Sequence, residues 1–395
     1  MASLLLGLAV VLLFLAAAGG ASRRFGLSAI PAYILLGVFF GGPGLSKDAV
    51  HLIEAIGVAL LLFFVGLEFS FLRLRSQARR LAAAGGIDLL VNFPVGLVAG
   101  LLLGWPFEAS FLLGAALYIS SSAIVAGNIA QLRRAAFPDT ETALGILVAE
   151  DIIIAVILAG LALWLPIPGR DIPPAVTLGA IAGLLVILFV LGRPLCGLLD
   201  RIGDRLENEA LLLLVSGILL LFSGAALATG LSEAIGAFAA GLLVGDSSLK
   251  ERVEGLLGPF QGLFAALFFF GFGLGIDEGA LASVWRAGLV ISAAALASKL
   301  IGAWWIGARQ GLSRAVRINL GLTISPRGEF SILVASYGVA AGHAELRPLV
   351  AAVVIVLAIA GSLLTQAGPR IGAAVARRLP NRVRPEPFDE PETTG

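Results

Sequence analysis

Apolar residues run along this chain in long blocks punctuated by arginine, glycine and proline, not at the spacing of helices with one wet face. Thirteen blocks can be drawn, at about 3–21, 27–43, 50–71, 80–104, 108–131, 140–164, 174–198, 208–229, 231–246, 254–275, 283–308, 315–341 and 346–368. A membrane-crossing helix needs about 20 apolar residues, and most blocks reach that length. The second and ninth are short and glycine-punctuated. The pattern predicts an all-α polytopic membrane protein of about 13 transmembrane helices. No positive region precedes the first block, so it reads as a retained helix and not as a cleaved leader. From residue 371 to 395 the chain turns charged and proline-rich, which predicts a disordered tail.

Charge sets the expected orientation. With the N-terminus outside, 21 of the 27 lysines and arginines fall on one side, from Arg23 and Arg24 to the tail arginines. Only four, Lys47, Arg170, Arg286 and Arg347, fall on the other. That bias places the C-terminus in the cytoplasm of a cell-membrane protein.

The chain also repeats itself. Gly26-Leu27-Ser28, with Gly37 and Gly41, matches Gly230-Leu231-Ser232 with Gly241 and Gly245 at an offset of 204. Phe64-Val65-Gly66-Leu67 resembles Gly271-Phe272-Gly273-Leu274 at 207, and Ile119-Ser120-Ser121-Ser122 matches Ile324-Ser325-Pro326-Arg327 at 205. Seven blocks separate each pair, so the copies point in opposite directions, which is the pattern of an inverted-repeat secondary transporter. A transmembrane domain over 1–370 follows, with repeat one at about 20–165, a linker helix at about 174–198 and repeat two at about 225–368.

The chemistry lies where apolar blocks are broken. Ser120, Ser121 and Ser122 stand mid-block, where their hydroxyls compete for backbone hydrogen bonds. Ser325-Pro326-Arg327-Gly328 breaks the matching block, since proline lacks a donor and glycine weakens a helix. Two crossed broken helices bring opposed dipole ends to one point, which requires charge to balance them. One block after the serines comes Ala149-Glu150-Asp151-Ile152, with two acids where each costs about 2.5–3.5 kcal/mol unless it meets a cavity or partner. An Asp151 that faces a cavity would bind either a monovalent cation or a proton, with Glu150 beside it as a second ion-binding candidate. The structural alternative is a buried ion pair that locks two helices. Lys299, mid-block, calls for a carboxylate, Glu150 or Asp151. Arg327 balances dipole ends or pairs with Glu68, or else bridges to its neighbour Glu329. Ser120, Ser121 and Ser122 offer oxygens to an ion. Asp88 and Asn92 either line an access path or are satisfied packing groups, and the second reading is preferred.

Composition narrows the rest. The chain is 58% hydrophobic with net charge +1, which gives no electrostatic case for nucleic acid. One cysteine, Cys196, excludes an internal disulfide, and His51 and His343 belong to no zinc motif. Oxygen ligands suit Na⁺ or K⁺, and no enzyme or cofactor is expected. Gly273-Leu274-Gly275-Ile276-Asp277 comes near the Gly-x-Gly-Asp motif of intramembrane aspartyl proteases, but its spacing is off by one. A gated cation channel or ligand sensor is the second reading, and the fixed ammonium of Lys299 argues against a cation pore.

These residues carry a family resemblance. Arg24-Phe25-Gly26-Leu27, Tyr33-Ile34-Leu35-Leu36-Gly37, Gly42-Pro43 and Leu61-Leu62-Phe63-Phe64-Val65-Gly66-Leu67-Glu68 open the series. Ser120 to Val125, Glu150-Asp151, Gly236 to Gly241, Phe268-Phe269-Phe270, Lys299 and Arg327-Gly328-Glu329-Phe330 continue it. In this order the chain resembles monovalent cation:proton antiporters of the second superfamily branch. That branch holds bacterial sodium/proton antiporters and the membrane part of glutathione-gated potassium efflux systems. The resemblance implies a mobile core domain, a dimerisation domain, a homodimer and alternating access. It implies Asp151 as the ion-binding position and Lys299–Glu150 as the partner pair. It also implies exchange of Na⁺ or K⁺ for protons, a role in pH homeostasis, and no nucleotide-binding regulatory domain in this chain. The family pair is Asp-Asp or Gln-Asp. Glu150-Asp151 matches neither, which leaves ion choice and stoichiometry open.

Overall fold

The computed structural model describes residues 2–40, 47–68, 71–134, 137, 139–165 and 172–378. Gly41 of the repeat, Gly42-Pro43 of the resemblance, and the expected disordered tail from 379 onward lie outside the described residues. All regular structure among the described residues is helical. In chain order the helices are α1 (Ala2–Arg24), α2 (Ile30–Phe40), α3 (Lys47–Glu68), α4 (Phe71–Leu102), α5 (Phe107–Tyr118), α6 (Ser122–Gln131), α7 (Thr140–Trp164), α8 (Pro174–Val186), α9 (Gly192–Gly203), α10 (Asn208–Ala228), α11 (Glu233–Gly245), α12 (Lys250–Leu274), α13 (Glu278–Arg309), α14 (Arg314–Thr323), α15 (Glu329–Ala340) and α16 (Leu346–Arg378).

Each of the thirteen apolar blocks falls on one helix or on one interrupted pair: α5 with α6, α8 with α9, and α14 with α15. Among the described residues, eight helices are long and apolar enough to cross a membrane, or nine if the bent α8–α9 pair is one span. Helices α2, α11 and α15 are apolar but shorter. The protein is a multi-span membrane protein. The α8–α9 block reads in the sequence as one straight helix, yet it bends by 63° across a π-helical turn at Ile187–Leu191. Pro194 sits in the first turn of α9, has no N–H to give Val190, and crowds that carbonyl, so the turn opens there.

The helices pack into two bundles. Helices α2, α3, α10, α11 and α12 pack on one another, with α1 against α2. Helices α4 to α7 and α13 to α16 form the second bundle. The bundles meet along α16 and α2, with thinner contacts of α7 on α11 and α12 on α15.

Glycines set the closest crossings of the first bundle. Gly37 of α2 lies against Gly273 of α12, and Gly66 of α3 lies against Gly241 of α11. At all four positions an added Cβ would sit 2.8 to 3.0 Å from the Cα of the partner glycine. In lipid, helices gain little from hiding apolar surface, so close backbone approach at small residues supplies the attraction. The sequence offset carries Gly37 onto Gly241 and Gly66 onto Gly273. One glycine contact is therefore the image of the other.

Candidate functional site

The second bundle is built around two gaps. The chain is non-helical at Ile119–Ser121, between α5 and α6, and at Ile324–Gly328, between α14 and α15. The gaps cross: Ser121 N donates to Pro326 O at 2.9 Å. The crossing is tight, because a Cβ on Gly328 would lie 2.7 Å from Ser121 Cβ. A side chain there would push the two segments apart.

Four half-helix ends converge here, and charge meets each type. Helices α6 and α15 point their N-termini at the crossing. Glu329, the first residue of α15, reaches across to α6, where it accepts from Ser121 Oγ at 2.6 Å and from Ala123 N at 3.3 Å. Ser121 Oγ in turn accepts from Ile124 N at 3.2 Å and so caps α6. A carboxylate at a helix N-terminus is electrostatically favoured. Helices α5 and α14 end here with spare carbonyls, and Arg327 takes them. Its Nε donates to Leu117 O at 2.9 Å and its Nη1 to Ser325 O at 2.9 Å.

Neither carboxylate expected for Arg327 is its partner. The ion pairs among the described residues do not include it. Glu68 ends α3 with an exposed side chain, and Glu329 is engaged by the α6 terminus. The carbonyls of a broken helix end are nearer claimants, which sequence spacing does not reveal. Replacing Arg327 by alanine is expected to lower the thermal unfolding temperature in detergent. Each buried carbonyl it leaves bare costs about 1–3 kcal/mol. Unchanged unfolding would mean that these bonds add no stability.

The acids of α7 part company at this point. Glu150, fully buried, accepts from Ser120 N at 2.6 Å and from Lys299 Nζ. Ser120 Oγ lies 3.0 Å from Glu150 Oε1 and 2.7 Å from Ile324 O, so its one proton serves either acceptor. Lys299, also fully buried, bonds Asp88 Oδ2 of α4 at 2.8 Å as well and stands 5.6 Å over the Tyr118 ring. Of the two partners left open for Lys299, the geometry selects Glu150 and adds Asp88.

Asp88 and Asn92 are both buried and hydrogen-bonded, and their bonds reach beyond the pair. Asn92 Nδ2 does donate to Asp88 Oδ1 at 2.9 Å, and Ser298 Oγ donates to Asn92 Oδ1 at 2.7 Å. The second Asp88 oxygen, however, belongs to Lys299. The signal was present: Asp88 is a mid-block acid like Glu150, and the cost of burying it demanded a cation too.

Asp151 is different. It is 4% exposed, forms no ion pair among the described residues, and accepts only from Ser122 Oγ, at 3.1 Å to Oδ2. Of the three serines expected to offer oxygens, Ser122 alone touches it; Ser120 and Ser121 are committed to Glu150, Ile324 and Glu329. A carboxylate offers about four acceptor positions, so Asp151 keeps most of its capacity. The two broken helices differ in exposure beyond the crossing. Ala123, Ala126, Gly127 and Ala130 form an exposed stripe down α6 from Ser122. The first seven residues of α15, Glu329 to Ala335, are all buried.

The far ends of the broken helices are tied by residues that no local pattern singles out. Arg134, just past α6, bonds Asp139 Oδ2 at 2.9 Å and Thr365 O of α16 at 3.1 Å. Asn319 of α14 donates to the same Asp139 oxygen at 2.7 Å. Asp277, the residue of the protease-like motif, caps α13 by accepting from Ala280 N at 3.1 Å. No group of three or more His, Cys, Asp or Glu among the described residues could hold a metal ion. The chemistry on offer is that of carboxylate and hydroxyl oxygens toward protons and hard monovalent cations.

Residues 10–367 match the family model described as sodium/hydrogen exchanger, transmembrane. The K(+)/H(+) antiporter subunit KhtU of Bacillus subtilis is 36% identical over 375 residues, 91% of this chain and 92% of that protein. The ammonium/H(+) antiporter subunit AmhT of Alkalihalophilus pseudofirmus is 30% identical, over 92% of this chain and 93% of its own length. Among solved structures, the sodium proton antiporter MjNhaP1 from Methanocaldococcus jannaschii at pH 8 superposes with a TM-score of 0.70 at 16% identity, covering 95% of this chain and 99% of that one.

Proposed function

The chain belongs to the transmembrane sodium/hydrogen exchanger family, and on that premise we propose that it exchanges Na⁺ or K⁺ for protons by alternating access. The observation that carries this reading is the state of Asp151: a carboxylate at the crossing of two broken helices, without an ion pair among the described residues, beside the exposed stripe of α6. Such a group holds a proton or a cation in turn. Ser122 Oγ is placed to add an oxygen to the cation. Lys299, Arg327 and Glu329 balance the fixed charges around it, so that Asp151 is the one group left to change occupant. Glu68, exposed at the end of α3, supplies negative charge near the mouth of the passage.

The rest of the reading follows the same line. All thirteen apolar blocks cross the membrane, with the N-terminus outside and the tail in the cytoplasm of the cell membrane. The stripe on α6 then opens inward, toward Arg133 and Arg134, while α15 is shut toward the outside. The bundle that carries the broken helices moves against the glycine-packed bundle, and the latter holds a homodimer together. The KhtU and AmhT relatives are named as subunits of K⁺/H⁺ and ammonium/H⁺ antiporters, which puts K⁺ on an equal footing with Na⁺ as substrate.

The test is purified protein in liposomes with a preformed pH gradient, challenged with each alkali ion in turn. Adding Na⁺ or K⁺ should collapse the gradient, with saturation. Cation flux that moves no protons would instead identify a channel and end the antiport reading.

A further inference from the structure

We infer that Arg134 and Asp139 are positioning residues for exchange: they lock α6 and α14, one half of each broken helix, to α7 and α16, so that the ion-bearing bundle moves as one body. This rests on the antiport reading above. The observation is that four helices meet at one buried ion pair. Asp139 Oδ2, at the start of α7, accepts from Arg134 Nη2 at 2.9 Å and from Asn319 Nδ2 of α14 at 2.7 Å. Arg134, just past α6, donates from Nη1 to Thr365 O of α16 at 3.1 Å. Its own carbonyl accepts from Thr140 Oγ1 of α7 at 2.8 Å.

Both halves need such a tie. Each is ten residues long, so its far end lies about 15 Å from the crossing. An exposed stripe runs down α6, and the bonds made by Ser121 hold only its start. The chain accepts strain to build the tie. Arg133 stands at φ 54°, where glycine is at ease and arginine is not. That turn closes α6, with Arg134 N donating to Ile129 O at 2.9 Å, and sets Arg134 beside Asp139. On α16, an added Cβ at Gly368 would run into Asn319 Oδ1, so bare backbone stands behind the amide.

Stability alone does not account for the pair. Two buried charges gain little over an apolar pair of the same size. Arg134 Nε and Asn319 Oδ1, moreover, have no hydrogen-bond partner among the described residues. What a guanidinium supplies is a rigid planar fork, here fitted to acceptors at two helices. Without it, α6 and α14 are levers hinged at the crossing. Asp151 and Ser122 lie at the hinge and keep their 3.1 Å contact, so cation binding survives. Movement of the bundle is instead absorbed as bending of its halves. The loss therefore falls on turnover and spares KM.

One double variant separates position from stability. Removing a single charge strands the other and destabilises, whereas replacing both by apolar residues does not. Arg134→Met combined with Asp139→Leu should therefore unfold at or above the parental temperature. In liposomes its KM for Na⁺ or K⁺ should be unchanged. Its turnover per folded molecule at saturating cation should fall about tenfold, the worth of one hydrogen bond to a charged group. Should the double variant fail to fold, Asn319→Leu serves instead. It frees α14, leaves the ion pair in place, and should show the same split. Parental turnover in a folded double variant, or in Asn319→Leu, would overturn the inference. So would a raised KM at parental turnover, which would place the effect at the ion site. The antiport reading fails separately, if alkali cations move no protons through the wild-type protein.

Discussion

Asp151→Asn is expected to abolish cation-dependent proton movement while the protein stays folded. The amide has almost the shape of the carboxylate and keeps an oxygen for Ser122 Oγ, which now lies 3.1 Å from Asp151 Oδ2. No ion pair is broken, because Asp151 has none among the described residues. Both of its functions are nevertheless lost. The amide takes up no proton near neutral pH, and it offers a cation no countercharge. A buried charge without its partner costs about 3–5 kcal/mol, or roughly two to four orders of magnitude in occupancy. In liposomes, added Na⁺ or K⁺ should leave the preformed pH gradient intact, and thermal unfolding should match the parent. The Glu150→Gln variant gives the contrast. It breaks a bond to buried Lys299 and should lose stability as well as rate. Normal exchange by Asp151→Asn would show that the carrier group lies elsewhere.

What the sequence disclosed about this site follows from what is local in it. Three serines in a row, and a Pro-Arg-Gly run 205 residues later, disrupt helices by short-range chemistry, so both gaps were legible. The cost of burying charge is a property of position in an apolar block. It flagged Glu150, Asp151 and Lys299, and applied evenly it would have flagged Asp88. Asn92 one turn on disguised Asp88, by making an adequate local partner for one oxygen and drawing attention from the other.

Arg327 shows the limit from another direction. Its need for partners was evident, but the partners are carbonyls freed by two helix ends, one of them 210 residues away at Leu117. Such acceptors exist only once the helices are broken and crossed. The division of the serines is of the same kind: adjacent residues leave a non-helical segment in different directions, so Ser120, Ser121 and Ser122 meet three different acids. The matching glycines of the repeat were legible in the sequence, but which glycine faces which depends on the inverted pairing of the repeats.

Gly241→Leu is expected to prevent folding, and Gly66→Leu to do the same. At Gly241 an added Cβ runs into the Phe63 carbonyl and comes within 2.9 Å of Gly66 Cα. At Gly66 it runs into the Phe238 carbonyl and the Gly241 Cα. Main-chain atoms cannot rotate aside as a side chain can, so α3 and α11 must separate. In an aqueous core, other buried surface would offset part of that loss. Between helices in lipid, the lost packing is most of the attraction. Purified variants should elute as aggregates on size exclusion in detergent, where the parent gives one sharp peak. Gly217→Leu is the control, since an added Cβ on that α10 glycine meets nothing within 4 Å. The sequence offset adds a sharper demand. Gly37 and Gly273 make the equivalent crossing of α2 and α12, so leucine at either should be as damaging as at Gly241 or Gly66. A well-folded Gly241→Leu protein would show that the α3–α11 contact is dispensable. Damage at only one of the two crossings would show that the repeats share a sequence pattern without sharing its mechanical load.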